Sequence, residues 1–185
     1  EAAQPARYLL DMSSPELMAP GGMVERVRSL WIPGPGASPS SSSWDEAGAG
    51  VGDPRVGCVD PLERATVLRA ITDSLALAYR RAIRRTFELS GTRPEAIHLV
   101  GGGSQNRLLA QETADATGIP TIAGPVEATA VGNMLISLRA IGAASGTLRD
   151  LRAISRASFS LVTYEPRASH ARLWDEADAL LAARS

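Results

Sequence analysis

Apolar positions along this chain fall at helical spacing through most of its second half and nearly vanish from one stretch of its first half. The longest periodic run is Leu68, Ile71, Leu75, Ala78 and Ala82, which predicts one helix face several turns long, closing near Gly91. Its start is marked by Asp60-Pro61-Leu62-Glu63. Asp60 can accept hydrogen bonds from first-turn amides, Pro61 suits the first helical position because its missing N–H costs nothing there, and Glu63 can bond back to the cap. Arg80, Arg81, Arg84 and Arg85 sit off the stripe, as a solvated face or as a phosphate-binding patch.

Further on, Ile97-His98-Leu99-Val100 predicts a short buried strand running directly into Gly101-Gly102-Gly103. A helix is predicted from Ser104 to Thr117, stopped by Gly118-Ile119-Pro120, and then a second strand, Thr121-Ile122-Ala123. Glu127 to Ile141 reads as a helix with Val131, Met134, Leu135, Leu138 and Ile141 on one face, stopped at Gly142. Thr147 and Asp150 form a capping-box start for a helix bearing Leu151 and Ile154. A last helix, near Ser169 to Ala183, packs through Leu173, Trp174, Ala177, Leu180 and Leu181.

Before residue 60 the pattern weakens. Leu9-Leu10 and a short helix carrying Met23, Val27 and Leu30 leave residues 1–31 a poorly defined N-terminal segment. From Ile32 to about Pro54 the composition collapses into Pro33-Gly34-Pro35-Gly36, serines from Ser40 to Ser43, and Gly48-Ala49-Gly50. Such a stretch has too little apolar surface to offset its ordering entropy, so residues 32–59 read as a disordered loop or insertion. Trp44 within it reads as a loop anchor. Residues 60–185 hold the ordered elements, an α/β arrangement rich in helix, and no internal repeat is visible.

Bulk properties narrow the function classes. A chain of 185 residues fits one domain, and a hydrophobic fraction of 44% supports a sizeable core. A net charge of −1 argues against a dedicated nucleic-acid or membrane-surface protein, since both need excess positive charge. Every basic residue is arginine, which reads as coding bias and not as function. The single Cys58 excludes an internal disulfide framework and a cysteine-built zinc site. With no long apolar run and no basic start followed by an apolar stretch, the expected setting is a soluble protein of the cytoplasm.

The glycine triplet carries the candidate chemistry. Between a strand and a helix, glycines allow a ligand to approach bare backbone and adopt conformations closed to other residues. The helix entrance adds unpaired amides and the positive end of a dipole, which suits phosphate. Ser104 and Asn106 place short polar side chains there. A tight turn without a ligand would carry the same residues. The dinucleotide fingerprint G-x-G-x-x-G fails, because Asn106 stands at its third glycine and Glu127, at the tempting distance for its acid, lies beyond Gly124-Pro125. The Walker pattern fails too, for want of any lysine.

The run Ile97 to Leu109, with Gly101-Gly102-Gly103-Ser104-Gln105-Asn106 at its centre, resembles the adenosine-contacting motif of the FGGY carbohydrate kinases. Thr113-Ala114-Asp115-Ala116-Thr117-Gly118 follows in order, then Ala123-Gly124-Pro125-Val126-Glu127-Ala128-Thr129-Ala130-Val131-Gly132-Asn133. The ending Gly132-Asn133 points to the rhamnulokinase branch, as do Asp73 to Arg80 and Phe159 to Pro166. The likeness covers about Asp60 to Pro166, is faint over Ser14 to Met23 and is absent across the Pro/Ser/Gly stretch.

The resemblance implies an α/β fold, part of an actin-like (ribonuclease H-like) ATPase domain, with residues 60–185 as its nucleotide-binding portion. It implies transfer of the γ-phosphoryl group of Mg-ATP to a sugar hydroxyl, giving L-rhamnulose 1-phosphate in this branch. Gly102 becomes the expected ATP-contacting glycine, Gly101 and Gly103 shape the turn, and Ser104 and Asn106 become adenosine-side contacts. Glu127 reads as a helix-start carboxylate and Gly132 as a close packing point. Cofactors are then ATP and Mg²⁺, and partners are ATP or ADP and a sugar held by another part of the enzyme. No nucleic acid or membrane is expected, and self-association is expected through apolar surface left open. The family's catalytic Asp lies upstream, and Asp11, Asp45, Asp53 and Asp60 lack its surroundings, so none is assigned as base. The alternative is a non-catalytic, kinase-derived interaction module in which the glycine loop is only structural.

Overall fold

The computed structural model describes residues 5–18, 26–27, 30–35 and 61–183. Asp60, Met23, Trp44 and residues 36–59 of the expected loop lie outside these. Two compact units are present, Glu1–Ala78 with Ala171–Ser185, and Tyr79–His170.

In the first unit, β1 (Tyr8–Leu9) pairs antiparallel with β2 (Ile32–Pro33), Leu9 opposite Ile32. The sequence places Ile32 and Pro33 at the head of a loop, and the structure corrects this. Leu9 and Ile32 are both buried, and that cross-strand pair holds the ribbon despite the proline. Tyr8 stacks on Trp31 with centroids 4.9 Å apart. Of the predicted Met23–Leu30 helix, Arg26 and Val27 are helical, with Leu30 N–H donating to Arg26 O at 3.0 Å.

Helix α1 (Pro61–Ser90) begins on its proline and ends at Gly91, which takes φ +66°. The helix is as predicted, but its buried face is not. Leu68 is 57% exposed, whereas Ala70, Asp73, Ser74, Leu77 and Arg80 are buried. Polar side chains displace the expected stripe because they have backbone to satisfy. Asp73 Oδ2 accepts from Ala6 N–H at 2.7 Å, Ser74 Oγ accepts from Leu10 N–H at 2.8 Å, and Arg80 Nη1 donates to Ala116 O at 2.8 Å. Arg80 is therefore neither solvated nor part of a phosphate patch. It ties α1 to the last turn of the next helix. The first unit also contains α5 (Ala171–Ala182), which buries Trp174, Ala177 and Leu181 much as its spacing predicts.

The second unit is built on a three-stranded sheet ordered β3-β4-β5. Strand β3 (Ile97–Leu99) runs parallel to β4 (Thr121–Ala123), and β5 (Val162–Tyr164) is antiparallel to β4. The sequence reading gave no strand at 162–164. That segment is short and largely exposed, so it carries no apolar alternation, and only its β-branched and aromatic content marked it. Between β3 and β4 lies α2 (Arg107–Thr117), stopped by Gly118 at φ +67°.

Helix α3 (Ala128–Ala140) buries only Leu135, while Met134 is 54% and Ile141 77% exposed. Its predicted packing face is thus only partly covered among the described residues, with Leu135 buried and Val131 and Leu138 half-buried. Among the described residues Gly132 likewise has open space around the position of a Cβ, and none of them makes the expected close contact there. Helix α4 (Leu148–Ser158) opens with the predicted capping pair, Asp150 Oδ2 accepting from Thr147 N–H at 2.6 Å and from its hydroxyl at 2.8 Å. It buries Leu151 but leaves Ile154 exposed.

Candidate functional site

The C-terminal ends of the parallel strands β3 and β4 open on the same side of the sheet, and the chain turns sharply at each. After β3, Gly101 takes φ +76° and ψ −167°, a conformation that needs glycine, and caps a 3₁₀ turn over Gly102–Gln105. Ser104 N–H and Oγ both donate to Gly101 O, at 3.0 and 2.7 Å. Within such a turn the amides of Gly102 and Gly103 have no acceptor in the turn itself. After β4, Gly124 at φ +107° leads into a cis peptide to Pro125, and Gly124 N–H donates to Leu99 O at 2.9 Å. A Cβ on Gly124 would press on Leu161 Cδ2 and Ser160 O, each at 3.2 Å.

The predicted helix from Ser104 to Thr117 is therefore two elements. Asn106 separates them as the N-cap of α2, its Oδ1 accepting from Leu109 N–H at 3.1 Å. That bond commits the side-chain oxygen to the cap and leaves the side-chain NH₂ as the group free of it. Gly101, Gly102, Gly103, Ser104 and Asn106 are brought together in one turn. Their conformational demands differ. Gly101 needs its positive φ, whereas Gly102 and Gly103 lie outside the left-handed region and a Cβ at either would meet nothing. Among the described residues neither packing nor a positive φ requires glycine at 102 or 103.

Beside the turn lies a cavity of about 380 Å³. Ser104, Gln105 and Arg107 form one wall, Ala123 to Glu127 the floor, and Phe159, Ser160, Val162 and Tyr164 the far wall. The sequence reading left Arg107, Phe159 and Tyr164 unassigned. Phe159 and Tyr164 come from a segment noted only for its family likeness, and Tyr164 reaches this cavity through β5, which periodicity does not predict. Glu127 holds the N-cap position of α3, the helix start expected of it, though its side chain makes no capping bond there, and it is also an exposed carboxylate of this cavity.

One polar cluster lies away from the cavity, at the other end of α2. Asp115 Oδ2 accepts from Arg167 Nε at 2.8 Å and faces His170 Nδ1 at 3.1 Å, while Glu112 Oε1 faces Arg167 Nη2 at 3.4 Å. Glu112, Asp115 and His170 have the composition of a metal site, but the Arg167 guanidinium already supplies the positive charge among them. Burial pushes the Asp115 carboxyl up, yet hydrogen bonds from Arg167 and Gln111, with the Arg167 charge, outweigh it and hold the group below the usual carboxylate range. A depressed carboxylate adds stability above its unfolded pKa, and that stability is lost as pH falls through the folded value.

Among the described residues no helix is long and apolar enough to cross a membrane.

Residues 4–141 match the model of the FGGY family of carbohydrate kinases, C-terminal domain. The chain is 38% identical over 171 residues to a rhamnulokinase of Bacteroides thetaiotaomicron, covering 90% of this chain and 34% of that protein. Rhamnulokinases of an Enterobacter species and of Pectobacterium atrosepticum are 40% and 44% identical over 110 and 108 residues, covering 60% and 58% of this chain and 22% of each relative. Among solved structures, a xylulose kinase from Rhodospirillum rubrum superposes with a TM-score of 0.50 at 22% identity, over 70% of this chain and 26% of that one. A xyloylose kinase from Brucella ovis gives 0.52 at 23% identity, over 69% and 26%. The fold shared with these two is the α/β, actin-like ATPase fold. The chain spans about a third or less of the length of the curated relatives it matches.

Proposed function

The chain belongs to the FGGY family of carbohydrate kinases, and from that premise we propose that it supplies the nucleotide side of an ATP-dependent sugar kinase. The observation that carries this reading is the glycine turn. A Cβ at Gly102 or Gly103 would meet no described residue, and the close approach of a ligand gives a reason for glycine at both positions. Free amides at the turn suit phosphate, and the aromatic and polar walls of the adjoining cavity suit a nucleoside. ATP is then the phosphoryl donor, and the enzyme is placed in the cytoplasm, where ATP is held.

The sugar is proposed to be L-rhamnulose, on the strength of the rhamnulokinases the chain is similar to, with L-rhamnulose 1-phosphate as product. Phosphoryl transfer is mostly positioning and charge neutralisation, with a carboxylate to orient the attacking hydroxyl. Glu127 is the one carboxylate among the described residues lining the cavity, and it stands on the nucleotide side. We assign the base and the sugar contacts to other parts of the enzyme. Nor do the residues at the turn offer a set of oxygen ligands for Mg²⁺, which would arrive on the nucleotide phosphates and not on ligands of this chain.

Calorimetric titration of the 185-residue chain with Mg-ADP should give a saturable heat at sub-millimolar ligand. No heat up to millimolar ADP, from protein shown to be folded, would sink the nucleotide reading. For the intact enzyme, an ATP-coupled assay against a panel of ketoses should show fastest turnover with L-rhamnulose.

Helix α3 bears on the partners. It is apolar on most sides yet exposes Met134, Ile136 and Ile141, as a core helix does when its neighbours are elsewhere. The chain alone should therefore self-associate, with sedimentation velocity showing an average mass that rises with concentration. A monomer throughout a wide concentration range would count against this.

A further inference from the structure

Strand β5 is a weakly held wall of the cavity. It has three residues, pairs with β4 alone among the described strands, and exposes both Val162 and Thr163. Little apolar burial fixes it. The chain just beyond it is fixed by polar contacts. Arg167 gives its backbone N–H to Asp115 Oδ1 and its Nε to Asp115 Oδ2, each at 2.8 Å, and Gln111 Nε2 donates to Glu165 O at 2.9 Å. The Asp115 side chain is 0% exposed, so water cannot replace these donors.

Asp115 and Gln111 stand on α2, and the same helix carries Arg107 at its start, just after Ser104 and Gln105. One helix thus bears one wall of the cavity at its N-terminal end and the anchor of the opposite wall nearer its C-terminal end. We infer that Asp115 and Arg167 are positioning residues that fix the separation between the first turn of α2 and β5, and so the width of the cavity. That this cavity takes the nucleoside of ATP rests on the function proposed above.

The separation can be read directly. Spin labels at Leu108→Cys, in the first turn of α2, and Thr163→Cys, on β5, are placed in a Cys58→Ser background, and their distance is measured with and without Arg167→Gln. Both labelled positions are exposed and neither lines the cavity. The expected result is a narrow distance distribution that broadens and lengthens in Arg167→Gln, with Arg167→Lys between the two because it keeps the charge and one donor. A cavity properly formed only a fifth of the time binds about fivefold more weakly, so the Mg-ADP Kd should rise by about that factor well below the melting temperature. A merely structural clamp would lower the melting temperature and leave that Kd alone.

An unchanged distance distribution in folded Arg167→Gln overturns the inference. So does a broadened one with unchanged ADP affinity. Should the parent chain bind no ADP, the proposed function fails by itself, and the clamp stands or falls on the distances. Should Arg167→Gln be too unstable to measure, Arg167→Lys is read by the same two criteria.

Discussion

Gly102→Val should weaken Mg-ADP binding on the order of 100-fold while leaving the melting temperature of the chain almost unchanged. The two halves of this expectation come from different observations. A Cβ at Gly102 meets no atom within 4 Å and the residue has no positive φ, so the folded chain accommodates a side chain there. If a phosphate is held by the amides of this turn, the same side chain stands between it and them. Loss of a hydrogen bond to a charged group costs about 1.5–3 kcal/mol, which corresponds to roughly 10- to 150-fold in affinity. Gly101→Ala is the contrasting case. Its φ of +76° with ψ of −167° is held almost only by glycine, so alanine there should lower both stability and affinity. Titration calorimetry and thermal melts on the two variants separate the cases. Wild-type affinity in Gly102→Val would show that the nucleotide does not touch this turn.

The glycine turn was legible because local chemistry dictates it. A strand ending in three glycines before a helix can be written from local signals alone, and the structure agrees in β3 and the turn that follows it, although α2 starts at Arg107 and not at Ser104. The errors lie where a distant partner decides. On α1 the periodic apolar positions pointed to Leu68, yet the buried face runs through Asp73, Ser74 and Arg80. Those residues are inside because the amides of Ala6 and Leu10 and the carbonyl of Ala116 need partners, a demand invisible to periodicity. The far wall of the cavity was missed for a similar reason. Val162–Tyr164 becomes a strand through pairing with β4 and through Arg167 on Asp115, across 52 residues of sequence. Helix α3 shows the converse case. Its periodic apolar positions predict a packing face, and among the described residues only Leu135 on that face is buried, with Met134 and Ile141 left exposed.

Asp73→Ala should cost the first unit about 3–5 kcal/mol near neutral pH, the penalty typical of removing one partner from a buried ion pair. Asp73 is 0% exposed and holds two groups at once. Ala6 N–H donates to Oδ2 at 2.7 Å, which anchors the start of β1 on α1, and Arg69 Nε reaches Oδ1 at 2.8 Å. Alanine leaves the buried Ala6 N–H without this acceptor and removes the Arg69 ion pair, whereas Asp73→Asn keeps an oxygen for Ala6 and should cost less. Burial pushes the Asp73 carboxyl up; the Arg69 charge and hydrogen bond and the Ala6 amide pull it back, and the net direction is upward. A carboxyl raised in the folded state binds its proton more tightly there than when unfolded. The stability this gives is present below the unfolded pKa and is lost as pH rises through the folded one. The gap between wild type and Asp73→Ala should therefore widen as pH falls from about 7 to about 4. For Asp115→Asn the depressed carboxyl gives the opposite sign, and the gap should close over the acid range. Urea midpoints of both variants along one pH series check the pair. Gaps that move together would mean that desolvation does not dominate at Asp73, and that its ion pair with Arg69 sets the titration instead.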